Sequence, residues 1–258
     1  MLIWDIETGG LDEKVLAALC PAFESPPHPG EFNPAAVKYG NTKDEAKRAV
    51  ILAEARDRHT ALSANHESIC KEGAEQHFAD FKSKAALDAT TGRVVAIGYQ
   101  AADSGKVAIS DGKGDEATIL AEFWGKYQKC RQQAGSPRKM VGSNIFGFDL
   151  PFLIRRSWMN GVDVPASVVV NRRYFDQLFV DLREVWLLGQ RWGDCGSSLD
   201  TMARALGVGE KRDGVNGVKG TDFARLWNGT AEERALAVAY LKNDLELTAG
   251  VAKRLGVV

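Results

Sequence analysis

The chain lacks any apolar run approaching the length of a membrane span, and no basic region followed by an apolar stretch opens it. Neither a transmembrane helix nor a secretory leader is therefore expected, and the cytoplasm is the default compartment. It also lacks a Cys-x-x-Cys pair: Cys20, Cys70, Cys130 and Cys195 are scattered, which speaks for reduced thiols and against zinc. Histidine is scarce, and His28, His59, His66 and His77 all fall in one region, where no metal role is expected of them. Charge of one sign is missing too. A net charge of −1 gives no global attraction to a polyanion. The local exceptions are the basic pairs Arg138-Lys139, Arg155-Arg156, Arg172-Arg173 and Lys211-Arg212, each of which also reads as ordinary solvated surface.

What is present is a set of acidic residues in telling places. Leu2-Ile3-Trp4 reads as a buried β-strand, and Asp5 and Glu7, two apart, would share one face of it. Two adjacent carboxylates at the end of a core strand repel each other and resist desolvation unless a cation compensates. A hard divalent ion such as Mg²⁺ or Mn²⁺, which takes oxygen ligands, is the natural compensation. A second Asp-x-Glu, Asp244-Leu245-Glu246, lies in a helical stretch where residues two apart diverge. The run from Ala231 to Thr248 is rich in strong helix formers and has Thr230 as N-cap. Tyr240 and Asp244, four apart, then share a helix face, where a phenol could orient a water beside the carboxylate.

Between these lies Met140-Val141-Gly142-Ser143, a short strand and turn, followed by a helix that starts near Phe148-Asp149 with Pro151 in its first turn. Asp149 suits an N-cap there, and Asn144 suits a turn closed by its side chain.

The three segments together resemble the DnaQ-like 3′–5′ exonucleases of the ribonuclease-H-like superfamily. The first motif stands as Asp5-Ile6-Glu7-Thr8-Gly9-Gly10-Leu11, the second as Asn144-x3-Phe148-Asp149 and the third as Tyr240-x3-Asp244, in the family's order. Tyrosine in the third motif points to the DEDDy branch. The stretch from Ser197 to Val208 also looks like the segment before the third motif in exonucleases related to the proofreading domain of family B DNA polymerases. The resemblance covers Met1 to Gly10 and about Arg93 onward, so that the whole chain reads as one exonuclease domain interrupted by an insertion at about 12–90.

The resemblance implies hydrolysis of the terminal phosphodiester at a 3′ end with two divalent ions, Mg²⁺ or Mn²⁺. Asp5 would bridge the ions, Glu7 and Asp244 would complete the water-activating site, and Asp149 would hold the second ion beside the leaving oxygen. Tyr240 would orient the attacking water, being a poor base at neutral pH with a reference pKa of about 10. Thr8, Gly9 and Leu11 would meet the terminal nucleotide, and Asn144 and Phe148 the substrate strand. Single-stranded DNA is the favoured partner over RNA, on the polymerase resemblance alone. An exoribonuclease, or a non-catalytic nucleic-acid-binding or assembly module on the same fold, are the other readings. Proofreading would need a polymerase or repair partner, since the chain has no such segment. Oligomeric state is open.

The fold class expected is α/β. Arg93 to Gln100 and Lys106 to Ser110 read as strands that form an antiparallel meander with the first, and Ile119 to Gln133 is helical. The remainder is mostly helical, broken by a glycine-rich loop from Gly207 to Gly220. In the insertion, Pro21 to Pro34 reads as extended loop, whereas Thr42 to Leu87 has no proline and predicts one long helix or a helical hairpin broken near Ser63-Ala64-Asn65. Lys38, Lys43, Lys47, Arg48, Arg56 and Arg58 make a strand clamp there conceivable, although interspersed glutamates favour a solvated face.

Overall fold

A computed structural model describes residues 1–169, 177–191, 193, 195–210 and 220–258. In chain order the elements are β1 (Leu2–Gly10), α1 (Glu13–Leu19), α2 (Glu45–Ala64), α3 (His66–Lys84), β2 (Gly92–Ala101), β3 (Val107–Ser110), α4 (Glu116–Arg131) and β4 (Met140–Gly142). There follow α5 (Asp149–Met159), α6 (Ala166–Val169), β5 (Phe179–Asp181), α7 (Leu182–Leu187), α8 (Leu199–Ala205), α9 (Phe223–Trp227) and α10 (Ala231–Arg254). They divide into two compact units, residues 1–12 with 84–258, and residues 13–83.

The larger unit is built on a five-stranded mixed sheet in the order β3-β2-β1-β4-β5. β1, β2 and β3 form the antiparallel meander, while β4 and β5 run parallel to β1. This α/β architecture, helices flanking a mixed sheet, is compatible with a ribonuclease-H-like fold. The period-two pattern of β1 sorts its side chains by face. Trp4 and Ile6 enter a core with Phe123, Tyr127, Leu150 and Leu153 from α4 and α5. Ile3 enters the opposite core with Met202, Leu245 and Val251 from α8 and α10. Asp5 and Glu7 follow Ile3 on that second face.

β5 is an addition to the expected architecture. The segment after α5 reads as helical, yet Phe179–Asp181 pairs with Met140–Gly142. A three-residue strand is too short to carry a period. The glycine-rich loop falls partly outside the described residues, as do the pairs Arg172-Arg173 and Lys211-Arg212.

The other two basic pairs are largely spoken for within the fold. Arg156 is buried against Glu116, with Nη2 to Oε2 at 2.6 Å and Nε to Oε1 at 2.9 Å. The same carboxylate accepts the Val94 N–H at 2.8 Å, and Arg156 Nη1 reaches the Ala89 carbonyl at 3.0 Å. Arg138 donates to the Met1 carbonyl at 2.9 Å and Lys139 to the Gln177 carbonyl at 2.5 Å. Arg155 differs from these three in standing exposed on the outer face of α5.

The smaller unit is a long bent helix with an extended strap along it. Backbone bonds run through the joint, Asn65 N to Ala61 O at 3.0 Å and Ile69 N to Asn65 O at 2.9 Å, so α2 and α3 do not fold back as a hairpin. The proline-rich segment runs antiparallel to them. His77 donates to the Pro21 carbonyl at 3.0 Å and His66 to the Pro26 carbonyl at 2.9 Å. Phe32 packs on His59, and Arg48 stacks over Tyr39. At about 1.5 Å per residue the helix from residue 48 to 77 spans roughly 44 Å, which the strap from 21 to 39 covers without full extension. Three of the four histidines are thus fasteners of strap to helix. Arg48 and Arg56 likewise lie over rings of their own strap, Tyr39 and Phe32.

Candidate metal centre

β1 and α10 supply the heart of the site. Asp5, Glu7 and Asp244 each present a carboxylate oxygen within 4.8 Å of the others. Glu7 and Asp244 are buried and Asp5 is half-buried. Their approach depends on Gly98, which pairs with Asp5 across the β1–β2 ladder. A Cβ at Gly98 would come within 2.9 Å of Leu241 and Leu245, so only glycine lets α10 sit this low on the sheet and carry Asp244 to β1. A register shift between Glu7 and Thr8 interrupts the ladder directly beside the acids, and pairing resumes at Thr8 with Val94. α10 itself is anchored by a capping box, Thr230 with Glu233, and Glu246 faces solvent on its outer side.

Asp149 comes from the other sheet face. It is the first residue of α5, not its N-cap: Phe148 occupies that position, with no side-chain cap bond. Because β4 leaves the sheet at Gly142, the Ile6 N–H lacks a strand partner there and makes a long 3.4 Å bond to Asp149 Oδ1. Burial, and next the charge of Asp5, push the Asp149 carboxyl well above the usual carboxylate range. The native protein therefore holds that proton more tightly than the unfolded chain does. The resulting stability is fully present below the unfolded value near 4 and is lost as pH rises through the native value. Metal-free Asp149→Asn should accordingly unfold at a higher temperature than wild type at pH 7, by about 2–4 °C per kcal/mol recovered, and with a flatter pH dependence. Calorimetry in chelator checks this; an unchanged or lower midpoint would refute it.

These acids border one cavity of about 840 Å³ together with Asn144, Phe148 and Tyr240. The other three residues expected at the substrate do not border it. Thr8 donates its hydroxyl to the Ala86 carbonyl at 2.7 Å. A Cβ on Gly9 would meet that of Ala224 at 2.6 Å, so glycine at this position lets α9 pack closely against β1. Leu11 bonds through its N–H to the Thr91 carbonyl at 2.9 Å.

The structure adds residues that the motifs do not contain. Asp181, buried at the end of β5, accepts the N–H groups of Asn144 at 2.8 Å, Phe146 at 2.9 Å and Arg183 at 2.9 Å. Burial raises its carboxyl above the usual range, against the pull of those three bonds. Arg183 reaches Asn144 Oδ1 at 2.5 Å and Ser197 Oγ at 3.1 Å, and it also borders the cavity. This network holds Asn144 in the left-handed region, φ 63°, from which the chain turns into α5. The signal in the sequence is Phe179-Val180-Asp181, an apolar pair ending in aspartate as Ile3-Trp4-Asp5 does.

An all-carboxylate donor set from three residues within 4.8 Å fits a hard divalent cation and does not fit a soft one.

No protein-family model matches the chain, nor does any curated protein. Among solved structures the fold is similar to the family B DNA polymerase from the hyperthermophilic archaeon Pyrobaculum calidifontis. The identity is 24% and the TM-score 0.51, over 67% of this chain and 23% of that one. The likeness is one of fold, and the chain spans less than a quarter of the polymerase's length.

Proposed function

We propose that the protein is a metal-dependent 3′–5′ exonuclease of the DEDDy type, acting on single-stranded DNA and releasing nucleoside monophosphates. The observation that carries this reading is the gathering of Asp5, Glu7 and Asp244 within 4.8 Å, with Asp149 and Tyr240 on the same cavity. In this reading the larger unit is the nuclease and residues 13–83 are an addition to it.

Asp5, Glu7, Asp149 and Asp244 would hold two divalent ions, Mg²⁺ or Mn²⁺, whose charge when bound activates water and stabilises the leaving 3′ oxygen. Tyr240 stands one helical turn before Asp244 and would position the attacking water by a hydrogen bond. Asn144, fixed by Asp181 and Arg183, and Phe148 would hold the substrate strand. The ions also answer the charge problem, since four added positive charges would make an acidic cavity attractive to phosphate.

Purified protein with Mn²⁺ should release mononucleotides from 3′-labelled single-stranded DNA, and release from matched RNA should be slower. Faster RNA trimming would replace the DNA assignment with an exoribonuclease. Release from no labelled substrate would leave a non-catalytic module.

A further inference from the structure

The smaller unit carries a cavity of its own. No residue of α2 or α3 is buried, so this long helix presents apolar side chains that the strap covers only in part. The cover is thinnest between Phe32 and Tyr39. There a groove of about 490 Å³ opens, floored by Phe32 and Val37 of the strap and by Ile51, Ala55 and Leu62 of α2. The three helical positions recur at helical spacing and so share one face. Leu62 is 53% exposed, an apolar side chain with little of its own unit to cover it. The groove is held open by the strap itself. Phe32 packs edge to face on His59, with ring centroids 5.4 Å apart, and the Pro34–Ala36 turn is capped by Asn33 Oδ1, which accepts the Ala35 N–H at 3.0 Å.

Two observations say what chemistry would fill it. The charged side chains in the lining are two cations, Lys38 and Arg58, and one acid, Glu31. Among the described residues neither cation is in an ion pair. Arg58 commits only its Nε, donated to the Glu54 carbonyl at 3.2 Å, and keeps the rest of its fork for an outside anion. The balance at the rim therefore favours an acidic occupant over a basic one. The strap adds open main chain beside the floor. The N–H groups of Glu31, Phe32 and Lys38 make no hydrogen bond among the described residues. An extended peptide can pair with such groups, which an acyl chain cannot. A bare phosphodiester strand would meet the cations but leave the apolar floor uncovered.

We propose that this groove docks an extended segment of a partner protein in which large apolar residues stand beside Asp or Glu. The apolar side chains fill the floor and the carboxylates meet Lys38 and Arg58. None of the acids assigned to metal borders the groove, so the docking site is independent of the nuclease chemistry.

The test pans a displayed library of random dodecapeptides on the whole wild-type protein in chelator, with L62D as the counter-target. Wild type should enrich sequences that combine large apolar residues with Asp or Glu. The most enriched peptide, synthesised with a fluorescent label, should lose at least about tenfold in affinity on K38E/R58E and on L62D. Both variants should keep the wild-type unfolding temperature, since all three side chains are exposed. Added salt should weaken binding to wild type. No enrichment over L62D, an enriched set that is basic or lacks apolar residues, or equal affinity for wild type and K38E/R58E would overturn the proposal. So would two results that name another occupant: displacement of the peptide by single-stranded oligothymidylate, or a concentration-dependent wild-type dimer that L62D abolishes.

Discussion

Asp5→Ala is expected to lower Mn²⁺-dependent nucleotide release by at least about a thousandfold, the equivalent of roughly 4 kcal/mol of transition-state stabilisation. Asp5 shares one cluster with Glu7 and Asp244, and its charge also bears on buried Asp149, so it links both halves of the acidic site. Its removal takes away charge and not packing, since Asp5 is half-buried and belongs to none of the apolar cores. The metal-free unfolding temperature should therefore stay level or rise as repulsion is relieved. Asp149→Ala should show the same loss of turnover, and Tyr240→Phe a smaller one, with metal binding largely kept. Wild-type rates in any of these variants would contradict the assignment, and a collapsed unfolding temperature for Asp5→Ala would contradict the packing argument.

The largest loss of stability is expected from Arg156→Ala. The Arg156 and Glu116 side chains are 9% and 11% exposed, so both charges are out of water and depend on each other. Removing one leaves the other buried and uncompensated, which costs about 3–5 kcal/mol. For a chain of this size that lowers the unfolding temperature by roughly 6–20 °C. The carboxylate also binds the Val94 N–H and the Asn160 amide, so that β2, α4 and α5 are all tied through it. The double variant Glu116→Ala/Arg156→Ala should lose less than the two single losses combined, because the second change removes a charge that the first had stranded. Thermal unfolding of the three variants measures this. Additive losses would show that the pair acts only through packing.

Elements that carry a period or a cap are legible in the amino-acid sequence itself. Leu2-Ile3-Trp4 announces β1, Arg93 to Gln100 announces β2, and Thr230 marks the start of α10. β5 is not legible, since three residues hold no alternation and its pairing with β4 is settled by the tertiary fold. The joint at Asn65 is readable as a break but not as a bend, because nothing local distinguishes a kinked helix from a turn. In the site, acids announce themselves by charge. Gly98 and Asp181 do not, for one acts by omitting a side chain beneath α10 and the other by accepting main-chain N–H groups. Phe148 as cap and Asp149 as first helical residue exchange the expected order, since the aspartate is drawn to the open edge of β1 instead of to its own helix.

The cluster joins Asp5 and Glu7, from the first strand, to Asp244, from the last helix, across more than two hundred residues of sequence. A ribosome adding about 5–20 residues each second makes the first two acids many seconds before the third. Through that interval the nascent chain carries a pair of carboxylates with no completed donor set, and α10 must dock on Gly98 before the cluster can assemble. On the proposed function, the polypeptide would be unable to cut nucleic acid near the ribosome until its synthesis has passed Asp244.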